Sequence, residues 1–399
     1  MTRGSTALTL AFSGTAHAFS HLFVLLFATV VLVLEAEWGI TYAELQWLSV
    51  PGFVLFGFGA PICGWLGDRW STTGMMALFF VGIGCASILT GFADSPTAIL
   101  VGLTTVGAFA AIYHPVGIPW LVKNSREPAR ALGINGVFGS LGTAFAALVA
   151  ASLAQEFGWR AAFFVPGGVA ILIGLAFVWA VGSKRLVDSE TDLKPQPAPV
   201  AADMVRAFSG LALAVLCTGL VFQSTSVGLP KIFDERFGED AVGGLVAVGG
   251  FVTLAYAVSA IAQIVGGELA GRYSLKWVYL FCQFSQVPVV LVAFLLHSPI
   301  LVVMATFMIS LNVMSQPAEN MLIARYTPLK WRGSVFGAKF LLTAGVSAAG
   351  VALVPIIHSW TGSLDALFWW LAGFAAIGGL ACWILPKERA DTAEAPVLA

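Results

Sequence analysis

Charged residues are scarce in this sequence. They make up 10% of the 399 residues, whereas hydrophobic residues make up 58%, and the mean hydropathy is +0.89. A soluble domain carries about 25% charged residues, so this chain has too little polar surface to cover itself in water. We therefore expect lipid to surround it. The net charge of −1 also argues against a nucleic-acid partner, because it provides no positive field.

Cysteines are few, and recognisable catalytic motifs are missing. The five cysteines lie in apolar stretches, and none forms a CxxC or Cys/His spacing that would predict a metal centre. The sequence has no HExxH, GxSxG or paired-aspartate motif and no nucleotide-binding loop. We expect neither an enzyme nor a cofactor.

Apolar runs of bilayer-spanning length recur along the whole chain. A helix needs about 20 such residues to cross a bilayer, and twelve runs of this kind can be read. The first is long and is followed by many others, so we expect a retained helix rather than a cleaved signal peptide. The predicted spans lie near 8–34, 45–66, 74–93, 97–121, 131–155, 160–182, 207–230, 242–266, 276–296, 299–324, 333–357 and 364–385.

A polar, proline-containing segment at 183–206 divides these runs into two sets of six. We predict an all-α membrane protein of twelve transmembrane helices arranged as two pseudo-symmetric six-helix bundles. The bundles are residues 1–182 and 207–399, the second with a short cytoplasmic tail, and 183–206 is a cytoplasmic linker.

The distribution of basic residues predicts the orientation. With both termini in the cytoplasm, only Arg160, Lys231 and Arg236 of the 20 Lys and Arg residues face outward, and Lys339 lies within a helix. Basic residues concentrate on the cytoplasmic side of membrane proteins. We expect a multi-pass protein of the inner (plasma) membrane, acting as a monomer.

The two halves correspond at an offset near 202 residues. His114-Pro115 matches Gln316-Pro317, and Arg130 matches Arg332. The same offset pairs His21 with Gln223. Internal repeats of this kind are typical of transporters whose two bundles rock about a central site.

Gly64, Gly67, Asp68 and Arg69 form a loop signature between the second and third predicted helices. Together with Arg130 and the glycines at 133, 136, 139 and 142, this loop resembles the major facilitator superfamily over essentially the whole chain. The resemblance implies a secondary transporter. It assigns a conformational switch to Gly64, Asp68, Arg69 and Arg130, with Arg272 and Arg332 as the repeat counterparts.

A narrower resemblance is to the fosmidomycin-resistance-like branch. It rests on Ser20-His21, on Tyr113-His114-Pro115 and on Tyr42 to Leu45. This branch is known for the export of small polar antibiotics, so the resemblance implies an exporter.

Three histidines are candidates for substrate or proton binding in the first bundle. His17 and His21 are four residues apart and share a helix face. Ionisable groups at membrane depth are costly and are functional candidates, although these two could instead only hydrogen-bond neighbouring helices. His114 follows Tyr113 and precedes a proline that bends its helix, either to line a cavity or as a structural kink. An i, i+4 histidine pair could bind a metal, but no carboxylate or cysteine accompanies it in this helix, so we expect no metal site.

Glu319 and Lys339 are the opposite charges of the second bundle. Both lie roughly 9–10 Å inside the membrane from their cytoplasmic landmarks, at 1.5 Å per residue. We expect a salt bridge, either functional or static. Asn312 and Gln316 extend the same polar face, and Gln223 is a further candidate.

These observations predict a secondary transporter for a small polar or amphipathic solute. We expect proton-coupled export, with the uptake of an organic anion or metabolite, or uniport, as the alternative.

Overall fold

The chain is helical almost throughout the part that the structure describes. The computed structural model describes residues 3–125, 127–186, 201–237, 244–327 and 332–386. The helices of the first half are α1 (Arg3–Leu25), α2 (Phe27–Trp38), α3 (Tyr42–Trp47), α4 (Val50–Phe58), α5 (Ala60–Arg69), α6 (Thr72–Gly91), α7 (Pro96–Ala110), α8 (Tyr113–Lys123), α9 (Pro128–Phe157) and α10 (Ala161–Gly182). Those of the second half are α11 (Ala201–Phe237), α12 (Gly244–Arg272), α13 (Leu275–Phe294), α14 (Ile300–Tyr326), α15 (Arg332–Phe340), α16 (Ala348–Thr361) and α17 (Asp365–Ile384), with a π-helix at Leu341–Val346.

These helices form twelve candidate membrane spans within the described residues. Eleven are single stretches that are long and apolar enough to cross a bilayer. The twelfth is the pair Tyr42–Phe58 and Ala60–Arg69, bent by 42° at Gly59. Pro61 opens the second helix of the pair and cannot donate a backbone hydrogen bond, which explains the bend. The predicted all-helical membrane fold with twelve spans is therefore confirmed.

Several helices extend beyond the apolar runs that predicted them. α11 begins at Ala201, within the predicted linker, and continues through charged residues to Phe237. Residues 187–200 of that linker lie outside the described residues. The charged end of α11 stays helical because its side chains have partners: Arg236 bonds to Asp365 at 2.7 Å, and His358 lies 3.0 Å from Glu235.

The residues form two compact units. Unit 1 comprises Met1–Leu193 with Leu229–Asp234 and Gly238–Thr253, and unit 2 comprises the remainder. In unit 1, α6 packs along α10 and α1 along α9, and in unit 2 α13 packs along both α14 and α17. The domain boundaries expected from the sequence stay a prediction.

Glycines allow α9 to approach α1 closely. A Cβ atom at Gly142 would overlap the backbone of Ala18, and one at Gly139 would lie 2.5 Å from the His17 ring. Gly133 differs, because nothing lies within 4 Å of the position its Cβ would occupy. The glycine repeat is therefore a packing surface against α1 at Gly139 and Gly142 but not at Gly133.

We predict that Gly142→Leu destabilises the protein, because α1 and α9 would have to separate. Forced overpacking of this kind costs about 1–3 kcal/mol, occasionally more. Thermal unfolding in detergent, followed by intrinsic fluorescence, would show a lower Tm. Gly133→Leu is the matched control and should leave the Tm near that of the wild type; equal losses in both variants would contradict the packing argument.

Candidate functional site

The three histidines of unit 1 lie at the corners of a nearly equilateral triangle. The ring centroids are 5.2 Å apart for His17 and His21, 5.1 Å for His17 and His114, and 5.3 Å for His21 and His114. His17 and His21 meet because they are one helical turn apart on α1. His114 comes from the start of α8, just after the break between α7 and α8. All three side chains are half-buried.

One hydrogen bond, to the backbone carbonyl oxygen of Asn135 on α9, orients the His17 ring. Nδ1 of His17 lies 2.7 Å from that oxygen, and it lies 3.1 Å from the Asn135 side-chain amide nitrogen without bonding to it when Nδ1 carries the proton. A carbonyl oxygen can only accept, so the shorter contact places the proton on Nδ1. Nε2 of His17 consequently carries a lone pair.

A second layer of polar and aromatic groups supports this triangle. The hydroxyl group of Tyr113 donates to Oδ1 of Asn135 at 2.8 Å and lies 3.0 Å from the hydroxyl group of Ser13. The Tyr113 ring stacks on His17 with centroids 5.0 Å apart. Phe56 contacts His21 and His114 edge-on. All of these partners are uncharged.

Unit 2 contains a buried ionic cluster centred on Glu319. Nζ of Lys339 lies 2.6 Å from one carboxylate oxygen, and the hydroxyl group of Tyr279 donates to the other at 2.6 Å. Lys339 also donates to Oδ1 of Asn320 at 2.5 Å. Glu319 is only 1% exposed, so both of its oxygens have charged or polar partners in place of water.

Buried side-chain amides and hydroxyl groups extend this cluster. Tyr279 lies 3.2 Å from Thr218, to which Gln283 donates at 2.6 Å. Gln286 donates to Gln283, and Asn312 donates to Gln286. The network links α11, α13 and α14 within unit 2.

The helix that carries Lys339 changes its geometry immediately after that residue. The π-helix at Leu341–Val346 lies inside the span Val335–Thr361, and the hydroxyl group of Ser347 bonds to the Leu342 carbonyl oxygen at 2.8 Å. π-Helical segments are rare and are frequently found at functional sites.

The remaining sequence candidates are spread over several elements. Gln316 is 3.5 Å from Gln263, and Gln223 is buried within α11. In the expected switch, a Cβ at Gly64 would contact Pro115 of α8 at 3.2 Å. Arg69 lies over the Trp65 ring in α5, the helix that also carries Asp68.

The arginines of the expected switch form local contacts. Arg130 pairs with Glu127 at 3.4 Å, and Arg272 pairs with Glu268, both pairs being exposed. Arg332 opens α15, but its side chain lies outside the described residues. No common contact of these residues with Asp68 is seen among the described side chains.

Sequence reasoning missed several members of both clusters. Ser13 and Asn135 support His17, and Tyr279, Gln283 and Gln286 surround Glu319. Tyr279, Gln283 and Gln286 follow an i, i+4, i+7 spacing on α13, a polar stripe that the sequence alone could have revealed. Asn135 had no such signal, because the group that bonds to His17 is a backbone carbonyl, which every residue carries.

Comparison with known proteins decides the family. The family model described as Major Facilitator Superfamily matches residues 10–351 and, again, residues 247–397. The chain belongs to the major facilitator superfamily. It is therefore a multi-pass membrane protein of a family of transporters. The narrower resemblance to the fosmidomycin-resistance-like branch stays a prediction.

Curated relatives include an exporter. The chain is 28% identical over 310 residues to the cephamycin export protein CmcT of Amycolatopsis lactamdurans, which covers 71% of this chain and 57% of that protein. It is 27% identical over 221 residues to the "Probable 4-methylmuconolactone transporter" of Cupriavidus pinatubonensis, covering 53% of this chain and 51% of that protein. The chain thus matches only about half the length of these relatives.

Solved transporter structures share the fold. A bacterial homologue of the human lysosomal transporter Spinster, described as inward-facing and unoccupied, superimposes with a TM-score of 0.77. The match covers 96% of this chain and 98% of that one at 16% identity. At this identity the likeness establishes the fold alone.

We predict that removing Lys339 alone destabilises unit 2 more than removing the whole ion pair. Lys339→Met leaves the Glu319 carboxylate buried without its cation, which typically costs about 3–5 kcal/mol. Glu319→Gln combined with Lys339→Met removes both charges and should recover most of that loss. Unfolding by denaturant in detergent micelles measures the difference.

The exposed pair Arg130–Glu127 provides the control for this comparison. Glu127→Gln should change the unfolding free energy by less than about 1 kcal/mol, because exposed ion pairs contribute little. A double variant as unstable as Lys339→Met would refute the charge-burial explanation.

Proposed function

We propose that this protein exports a small polar or amphipathic solute by alternating access, in exchange for protons. The membership of the superfamily and the similarity to a cephamycin export protein support this proposal. In this proposal the chain lies in the inner membrane with both termini in the cytoplasm, and it acts as a monomer.

The observation that carries proton coupling is the buried Glu319 carboxylate. An ionised carboxylate inside a membrane is costly unless it is paired, and Glu319 is paired with Lys339 and Tyr279. A proton on Glu319 removes the negative charge and releases the ammonium group of Lys339. Tyr279, Cys282, Tyr326 and Cys382 are titratable residues of the described core around it.

Release of Lys339 connects the proton to helix movement. Lys339 lies in the last turn of α15, two residues before the π-helix begins at Leu341, and Glu319 lies on α14. The ion pair therefore joins two helices when Glu319 is ionised and no longer joins them when it is protonated. Coupling requires that a proton and the solute favour different conformations.

Neutral polar groups are proposed to recognise the solute. Unit 1 offers the imidazoles of His17, His21 and His114 with the Tyr113 ring, and unit 2 offers the amides of Asn312 and Gln316 with Gln223. Such groups donate and accept hydrogen bonds without a fixed charge, which suits a small polar solute better than a highly charged one. Gly64, Asp68, Arg69, Arg130, Arg272 and Arg332 are proposed to serve the conformational switch.

Solute efflux from proteoliposomes under a pH gradient tests the proposal. Vesicles are loaded with cephamycin or 4-methylmuconolactone, as first members of a solute panel, and the external medium is made more acidic than the lumen. We expect wild-type efflux to rise with the gradient. Glu319→Gln cannot take up or release the proton and should show the same efflux with and without the gradient.

Glu156→Gln is the matched control, because Glu156 is an exposed carboxylate at the end of α9. It should retain the gradient response of the wild type. If wild-type flux ignores the gradient, the protein is a uniporter; if an inward proton gradient accelerates solute entry instead, it is an uptake system. Either result would reject proton-coupled export.

A further inference from the structure

The histidine triangle of unit 1 has the dimensions of a tri-histidine metal centre. A ring nitrogen lies about 1.1 Å from the ring centroid, and a zinc ion binds that nitrogen at about 2.0–2.1 Å. Tetrahedral angles at the ion then place the centroids about 5.2 Å apart. The observed separations are 5.1, 5.2 and 5.3 Å.

The ring nitrogens can converge without movement of the helices. One ring nitrogen from each histidine already lies within 4.8 Å of one from each of the others. Tetrahedral coordination requires about 3.3 Å between them. Rotation of the His21 and His114 rings about their side-chain torsions can shorten these distances, while His17 keeps its contact with the Asn135 carbonyl oxygen.

The environment of His17 prepares it as a ligand. Its Nδ1–H donates to the Asn135 carbonyl oxygen, which leaves the Nε2 lone pair available. Metal-binding histidines almost always donate their other N–H group to a carbonyl or carboxylate in this way. Gly139 provides the space for this ring edge, because a Cβ atom there would lie 2.5 Å from Nε2.

We propose that His17, His21 and His114 bind a divalent first-row transition-metal ion, for which Zn²⁺ and Co²⁺ are the probes. Imidazole nitrogens suit Zn²⁺, Cu²⁺, Ni²⁺ and Fe²⁺, whereas Mg²⁺ and Ca²⁺ require oxygen ligands. Three protein ligands leave a fourth coordination position open for water or for an exchangeable ligand. The pair on α1 does not predict this site, because the third ligand comes from α8.

Charge indicates what occupies the fourth position. Tyr113, Asn135 and Phe56 are the groups with described contacts to the three histidines, and all of them are uncharged. A divalent ion at membrane depth is therefore stabilised by an anionic fourth ligand, either hydroxide or an anionic group of a bound solute. The inference concerns binding by unit 1 and stands whether or not the proposed export is correct.

Cobalt absorption of the purified protein in detergent tests the site. The full chain is purified through a tag without histidine, because a polyhistidine tag would bind the same ions, and is stripped with a chelator. We expect one Co²⁺ per chain, with the visible absorption bands of four-coordinate cobalt, and displacement of the Co²⁺ by Zn²⁺. His114→Gln should weaken binding by roughly 100-fold or more, since outer hydrogen-bond partners alone account for 10–100-fold.

The other two histidines of the chain provide matched controls. His297→Gln removes an exposed histidine, and His358→Gln removes one that pairs with Glu235, so both should keep the cobalt bands. Size-exclusion profiles establish that each variant is folded. If His114→Gln does not purify, His21→Gln makes the same test. Absent bands in the wild type, or bands that persist in both His114→Gln and His21→Gln, would overturn the proposal.

Discussion

The structure depends on one constraint, which is that a polar group within the bilayer must find its partner inside the protein. Backbone groups satisfy this constraint by forming helices, and the polar side chains satisfy it by meeting one another. Glu319 has Lys339 and Tyr279, Asn135 has Ser13 and Tyr113, and the amides of Gln283 and Gln286 bond to each other. The polar residues around His17 and around Glu319 therefore form connected networks rather than lying singly along the helices.

These clusters exist because small residues and prolines bring the helices into position. Gly139 and Gly142 allow α9 to pack against α1 closely enough for the Asn135 carbonyl to reach His17. A proline directly after His114 lacks the N–H group that would continue the helix from α7, and α8 starts there as a separate segment. Packing and chemistry are thus coupled at the same residues, and a change at Gly139 would alter both.

Much of the fold could be predicted from the sequence, because a bilayer requires long apolar helices and each of these is visible as a run of apolar residues. The His17–His21 pair was also predictable, since neighbouring turns of one helix suffice to bring the rings together. The addition of His114 was not predictable, because it depends on how α8 packs against α1. The environment of Glu319 was only partly accessible: the possible partner Lys339 follows from charge and depth, whereas Tyr279 comes from α13, and its contact appears only in three dimensions.

The π-helix at Leu341–Val346 limits how far the two halves can be superimposed residue by residue. A π segment adds one residue to a helix, so the chain beyond it is rotated by about 100° relative to a continuous α-helix. The corresponding helix of the first half, α9, is α-helical throughout. When residues of the two halves are paired at one constant difference in residue number, the paired side chains therefore point the same way before Leu341. After Leu341 they do not. Beyond that point, equivalent directions in the two halves belong to residues whose numbers differ by one more than the offset before it.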